Sequence, residues 1–283
     1  MQSFFKKLPR YSLRLLLAYL VYIFTGGVLA YLLPRQARNL PQTDSFYGIG
    51  RGPDRAVLVE EPQDAFARRV EVIRTAQSTL DVCYHCVKSG ETTECFFAEL
   101  LRAADRGVRV RVLLDGTVGG LSGARSNIAL ALRAHPNIEY RIYNPVDLLR
   151  PWEWNALLHD KFILADDRML LLGGRNIGDE YFAPPGYEGA VTYDRDVLVL
   201  NDLAGTPDSS ESVTAQAKIY MDTLWDAPET DKFGTLSPSR RADGLAAQEY
   251  LKETAARWEA AAPSFYLPSE PASQCAVPTQ RVT

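Results

Sequence analysis

The chain has 283 residues, 46% of them hydrophobic, which is enough for one sizeable core with appendages. Its net charge of −4 is unevenly spread: residues 1–35 carry five basic residues and no carboxylate, so the other 248 hold 26 basic against 35 acidic ones. Sequence-independent nucleic-acid binding rests on neutralising phosphates with Lys and Arg, and so acidic a body weighs against it.

In chain order, residues 1–14 form a basic tail with Lys6, Lys7, Arg10 and Arg14. Residues 15–34 follow as a transmembrane anchor. Residues 15–33 hold no charge, and a helix of that length spans roughly 28 Å, close to a bilayer core. Four basic residues precede the span, while Arg35 and Arg38 follow it closely. That bias predicts a single pass through the cell membrane, with a cytoplasmic N-terminus and the body on the extracytoplasmic side. A cleaved signal peptide, with Val28 and Ala30 before the cut, is the competing reading, but the apolar run is longer than most signal cores and continues past Ala30. Residues 35–57, rich in Pro, Gly, Arg and Asn, read as a tether.

Residues 58–230 carry an alternation of helices and strands. Pro62 opens a helix with Phe66, Val70 and Ile73 on one face. TLDVCYHCV (79–87) is a strand, ECFFAELLRAADR (94–106) a helix stopped by Gly107, and VRVRVLLD (108–115) a strand. GARSNIALALRAHP (123–136) is a helix ended by Pro136, and IEYRIYN (138–144) a strand. HDKFIL and RMLLLGG, joined by a tight Ala165-Asp166-Asp167 turn, form a hairpin; DVLVL (196–200) is a further strand. The helix around 210–226 presents Val213, Ala217, Tyr220 and Leu224 as its core stripe. Residues 231–262 extend the lobe as helix, and 263–283, with four prolines among polar residues, are expected to be disordered. The fold class is therefore α/β: a mixed β-sheet flanked by helices on both faces, with an N-terminal transmembrane helix.

Cys83, His85, Cys86 and Cys95 could be drawn as a metal cluster, but alternation on a strand sends Cys83 and Cys86 to opposite faces. No metal and no cofactor are expected. A Cys86–Cys95 disulfide is conditional on an oxidising compartment.

Chemistry concentrates in the hairpin. On a strand, His159, Lys161 and Ile163 share one face, while Asp160, Phe162 and Leu164 share the other. His159 and Lys161 can converge on one small anion, the imidazole as nucleophile toward phosphorus and the ammonium as a stabiliser of charge on its oxygens. Gly173 and Gly174 permit close backbone approach, and the Asn176 amide can donate to the same phosphate. Asp166, in the turn, more plausibly fixes the hairpin than touches substrate.

The spacing His159-Asp160-Lys161, Asp166, then Gly173-Gly174-Arg175-Asn176 resembles the HxKxxxxD…GGxN signature of the phospholipase D superfamily, and GGRNIGDEYF resembles its bacterial cardiolipin synthase-like branch. The resemblance covers about residues 58–230. It implies His159, Lys161 and Asp166 as the catalytic motif, with Lys161, Gly174 and Asn176 on the substrate phosphate. It implies a phosphohistidine intermediate and a phosphatidylglycerol-like substrate at a membrane. Asp194 and Asp196 are both candidates for the acidic residue that orients the histidine.

Such enzymes carry two motifs, and this chain has one. His85 is followed two residues on by Val87 and His135 by Asn137, so neither has the lysine. Three readings follow: a homodimer whose chains each contribute one set, half of a site completed by a missing second lobe, or a non-catalytic phospholipid-binding lobe. Single-motif nucleases of the superfamily are a further alternative. A long basic groove beside the hairpin would favour a nuclease; an apolar surface facing the anchor would favour lipid.

Overall fold

The computed structural model describes residues 2–29, 32 and 50–281. Among these residues, one mixed sheet of nine strands organises the body. In chain order the strands are β1 (Gly50–Val59), β2 (Thr79–Tyr84), β3 (Arg109–Asp115), β4 (Ile138–Tyr143), β5 (Lys161–Ala165), β6 (Met169–Gly173), β7 (Asp196–Asn201), β8 (Thr230–Lys232) and β9 (Val277–Arg281). Their order across the sheet is β8-β4-β3-β2-β5-β6-β7-β1-β9. The β2–β3 and β3–β4 pairs are parallel; every other neighbouring pair is antiparallel.

The helices are α1 (Gln2–Phe24), α2 (Pro62–Thr75), α3 (Glu91–Asp105), α4 (Ser126–Ala134), α5 (Val213–Trp225) and α6 (Pro238–Ala261), besides short turns. Helices α2, α3, α4 and α6 cover one face of the sheet over a core that includes Phe66, Phe97, Ile163, Leu171 and Leu251. Helix α5 covers the other face, over Phe162, Leu164, Leu170, Met221 and Trp225. Ile163 thus faces one core, and Phe162 and Leu164 the other, as period-two alternation requires. The β5–β6 hairpin closes through residues 166–168, between the paired Ala165 and Met169, and Asp166 and Asp167 both take positive φ, 50° and 54°. That is the primed turn that matches strand twist, and aspartate tolerates it.

Several expected boundaries move. The basic tail is helical and continuous with the anchor, because α1 begins at Gln2. The tether is shorter than expected: residues 50–57 belong to β1, which pairs with β7, while 35–49 lie outside the described residues. The helical extension begins at Pro238, and Thr230–Lys232 form an edge strand on β4. The expected disordered tail is ordered through Arg281. Phe265, Tyr266 and Ala272 are buried, Phe265 stacks on Phe66 at 4.7 Å between ring centroids, and β9 pairs with β1. Proline count was a poor guide there because two buried aromatics dock the segment on α2. On α5 the buried residues are Thr214, Met221 and Trp225, whereas Val213 and Tyr220 are exposed. The Tyr220 hydroxyl is instead engaged with Asp160, at 2.8 Å.

Candidate active site

The site lies where the carboxyl ends of β2 and β3 meet the amino end of β5, the edge at which α/β sheets commonly bind ligands. The antiparallel register sets Tyr84 opposite Lys161. His85, one residue past β2, therefore stands beside His159, two residues before Lys161. The imidazole centroids are 4.4 Å apart and the planes are tilted by 53°. His85 Nδ1 donates to the Leu158 carbonyl oxygen at 2.9 Å, which leaves Nε2 as the nitrogen with a lone pair. The buried Asp115 carboxylate lies 3.9 Å from the same Nδ1. It accepts the N–H groups of Thr117, Val118 and Leu158, and so fixes the loop and strand end around both rings.

His159 is exposed and Lys161 is buried. His159 precedes β5 rather than lying within it. The Lys161 ammonium donates to the His159 carbonyl at 2.7 Å and lies 3.4 Å from His159 Nδ1. An ammonium only donates, so that nitrogen presents its lone pair to the cation. The Lys161 charge, then burial, then His85 push the His159 imidazole below its ordinary pKa. The ring therefore protonates only at more acidic pH than an ordinary histidine. Burial likewise lowers the Lys161 ammonium, opposed by the charges of Asp160 and Asp194.

The Gly173–Gly174 turn flanks this pair. A β-carbon at Gly173 would collide with Arg195 and Asp196, and one at Gly174 with the Asp194 carboxylate. The missing side chains let the end of β7 close over the turn. Asn176 Oδ1 accepts the Cys86 N–H at 2.9 Å, and its Nδ2 donates to the Tyr181 hydroxyl at 3.2 Å, which leaves one amide hydrogen for another acceptor. A bridge between Val87 and Ile177 fastens the His85 segment to the same turn.

The two aspartates offered as orienting residues separate. Asp196 is buried and pairs with Arg69 at 2.9 Å and Arg175 at 3.0 Å. Burial would raise its carboxyl, but the two guanidiniums outweigh that and hold it below the ordinary range. Arg69 also donates to the Tyr84 hydroxyl, and Arg175 to the Val59 and Glu60 carbonyls. Asp196 is thus a structural anchor beneath the glycine turn. Asp194 remains against Gly174, on the side whose charge reaches Lys161.

Asp166 does not reach the imidazoles. It sits past the far end of β5, roughly 17 Å along the strand from Lys161. Its carboxylate accepts three backbone N–H groups, from Gln77, Ser78 and Thr79, tying the hairpin turn to the start of β2. Asp166 is therefore a support of the hairpin, as its turn position suggested, and stands apart from the His159–Lys161 pair. The four cysteines are unbonded, with Cys83 in the smaller core and Cys95 in the larger.

Residues 70–199 match the family described as cardiolipin synthase, PLD-like domain. That segment is similar to a phospholipase D-like domain of the cardiolipin synthase type. Over 152 residues it is 39% identical to cardiolipin synthase C of Escherichia coli, covering 50% of this chain and 31% of that protein. Over 138 residues it is 39% identical to an uncharacterized protein of Helicobacter pylori, covering 45% of this chain and 27% of that one. The chain spans about a third or less of the length of these curated relatives. Among solved structures, NucT from Helicobacter pylori aligns with 15% identity and a TM-score of 0.49 over 64% of this chain and 99% of that one. His159, Lys161, Gly173, Gly174, Asn176, Asp194 and Asp196 all fall inside the matched phospholipase D-like segment. So does His85, which sequence reasoning set aside for want of a lysine two residues on. Only the pairing of β2 with β5 reveals it, and no local motif encodes that pairing.

Proposed function

We propose that the chain supplies half of a phospholipase D-type active site that transfers or hydrolyses phosphatidyl groups through a phosphohistidine at His159. The observation that carries this reading is the exposed His159 imidazole held 3.4 Å from the buried Lys161 ammonium, beside the Gly173–Gly174 turn. In the first step a His159 nitrogen bonds to phosphorus, and the bond from phosphorus to the head-group oxygen breaks. The leaving alcohol takes a proton from a second acid. In the second step an acceptor alcohol or water gives up its proton to the conjugate base of that acid and attacks phosphorus, and the bond from phosphorus to the imidazole breaks. Lys161 and the free Asn176 amide hydrogen would hold the non-bridging oxygens.

His85 does not meet the requirement for that second acid. In-line displacement places the incoming and leaving groups on opposite sides of phosphorus. Attack, bond and hydrogen-bond lengths together demand facing nitrogens roughly 7 Å apart. Two rings 4.4 Å between centroids leave no room for phosphorus between them. His85 stands beside the nucleophile and tunes it, so the acid comes from elsewhere. A second copy of this chain, or a second lobe, would supply it.

Lipid is favoured over nucleic acid by the acidic body and by the exposed apolar residues Val146, Leu148, Leu149 and Leu157 in the loop that leads to His159. Residues Tyr11–Leu29 are long and apolar enough to cross a membrane. The anchor would hold the site at the cell membrane, with the body on the extracytoplasmic side and phosphatidylglycerol as donor. The test is incubation with phosphatidylglycerol labelled at phosphorus, followed by quenching at alkaline pH. Label should remain on the wild-type chain and not on His159→Asn, and product should appear only with the wild type. Full product formation by His159→Asn would refute the reading.

A further inference from the structure

We propose that the loop of residues 146–157 is a membrane-inserting element whose tip lies among acyl chains and delivers lipid to His159; this rests on the anchor reading above. The loop leaves β4 at Asn144 and returns to the site at Leu158. Five of its large apolar side chains are exposed: Val146, Leu148, Leu149, Trp152 and Leu157, with Leu149 at 73%. So many exposed apolar groups in one short segment mark an interaction surface.

The anchor helix identifies what covers it. The Tyr19 hydroxyl donates to the Leu148 carbonyl at 3.0 Å, and the Tyr22 hydroxyl donates to the Leu149 carbonyl. The Trp152 ring meets Tyr22 edge-on at 6.2 Å, and Gly26 and Gly27 pack against Pro151. Tyr19 lies ten residues before Leu29, the end of the apolar span. That is about 15 Å of helix, half the thickness of a hydrocarbon core. The loop tip therefore lies alongside the second half of the span, at a depth where water is absent.

Irregular backbone is tolerated at that depth only when its polar groups have partners. At its tip and base this loop gives several of those groups partners. The tip carbonyls are taken by the two tyrosines, and Asp147 accepts from the Leu149 N–H and, through its carbonyl, from the Trp154 indole. Asn144 donates to the carbonyls of Glu153 and Ala156 at the base. The loop charges gather too, with Arg150 3.5 Å from Asp147 and 3.6 Å from Glu153. A loop made only for water would have no use for tyrosine hydroxyls borrowed from an apolar span. From its tip at Leu149 the chain reaches His159 in ten residues, a direct path from acyl chains to the nucleophile.

The experiment uses the full chain reconstituted into phosphatidylcholine–phosphatidylglycerol vesicles, with or without bromine atoms on the acyl chains. Acyl bromine should quench a component of tryptophan emission that is lost in Trp152→Phe. Leu149→Arg should lose the same component while the chain stays with the vesicles after an alkaline wash, held by its anchor. Circular dichroism of each variant confirms that the body is folded. Equal quenching in the wild type, Trp152→Phe and Leu149→Arg would overturn the loop assignment and leave the anchor standing. Release of the wild-type chain by the wash would refute the anchor and the loop together. Neither readout depends on turnover, so loss of the phosphatidyl-transfer reading would be seen separately.

Discussion

At the scale of the residue, the site is an exercise in keeping one imidazole neutral. His159 is exposed, so desolvation is secondary; the main influence is the neighbouring Lys161 cation, with His85 contributing less. A folded-state pKa pushed below the ordinary value of a histidine means the ring protonates only at more acidic pH. Removing Lys161 removes the largest cause. In Lys161→Ala, the His159 ring signals followed by proton NMR should titrate with a midpoint moved upward, toward the free-histidine value. His85→Phe should move it in the same direction by less. An unchanged midpoint in Lys161→Ala would show that the ammonium does not act on the ring. Turnover should fall on the order of a hundredfold or more in Lys161→Ala, the usual cost of losing one preorganised charge-stabilising contact.

At the scale of the element, the turn that flanks the pair is held from below by Asp196 between two buried arginines. Removing the carboxylate leaves Arg69 and Arg175 buried without their anion, which typically costs about 3–5 kcal/mol. Asp196→Asn should therefore be less stable by that margin, with its urea midpoint lowered accordingly. The sign with pH follows from the depressed carboxyl. Its stabilisation is complete above the unfolded-state pKa near 4 and is lost as pH falls through the lower folded-state value. The variant should accordingly lose part of the acid-side fall in stability that the wild type shows below about pH 4. This network also marks the limit of what could be read in the sequence. Strands with strict alternation, the tight Ala165-Asp166-Asp167 turn and the His159–Lys161 pair were legible because each depends on near neighbours. The role of Asp196 against Asp194 was not, since it is set by Arg69, 127 positions away in the chain. Nor was the ordered C-terminal segment, where proline and polar content hid Phe265 and Tyr266 and a strand that pairs only with β1.

At the scale of the whole molecule, the proposed phosphohistidine route needs a proton donor. The His85 ring is too close to the proposed nucleophile to sit across phosphorus from it. Two arrangements meet the requirement, and they differ in how activity dilutes. If two copies share one site about a twofold axis, each site needs His159 from both chains, one as nucleophile and one as acid. Wild-type and His159→Asn chains, mixed in denaturant and refolded together at fixed total concentration, would then give activity that falls as the square of the wild-type fraction. An equal mixture would keep about a quarter of the wild-type rate. If each chain works with a separate second lobe in excess, the same mixture keeps about half. Measuring the rate across the full range of mixtures distinguishes curvature from a straight line without any assumption about absolute activity. A straight line would exclude the shared twofold site, whereas the quadratic curve would mean that the missing acid is this histidine, carried by a second copy of the same chain.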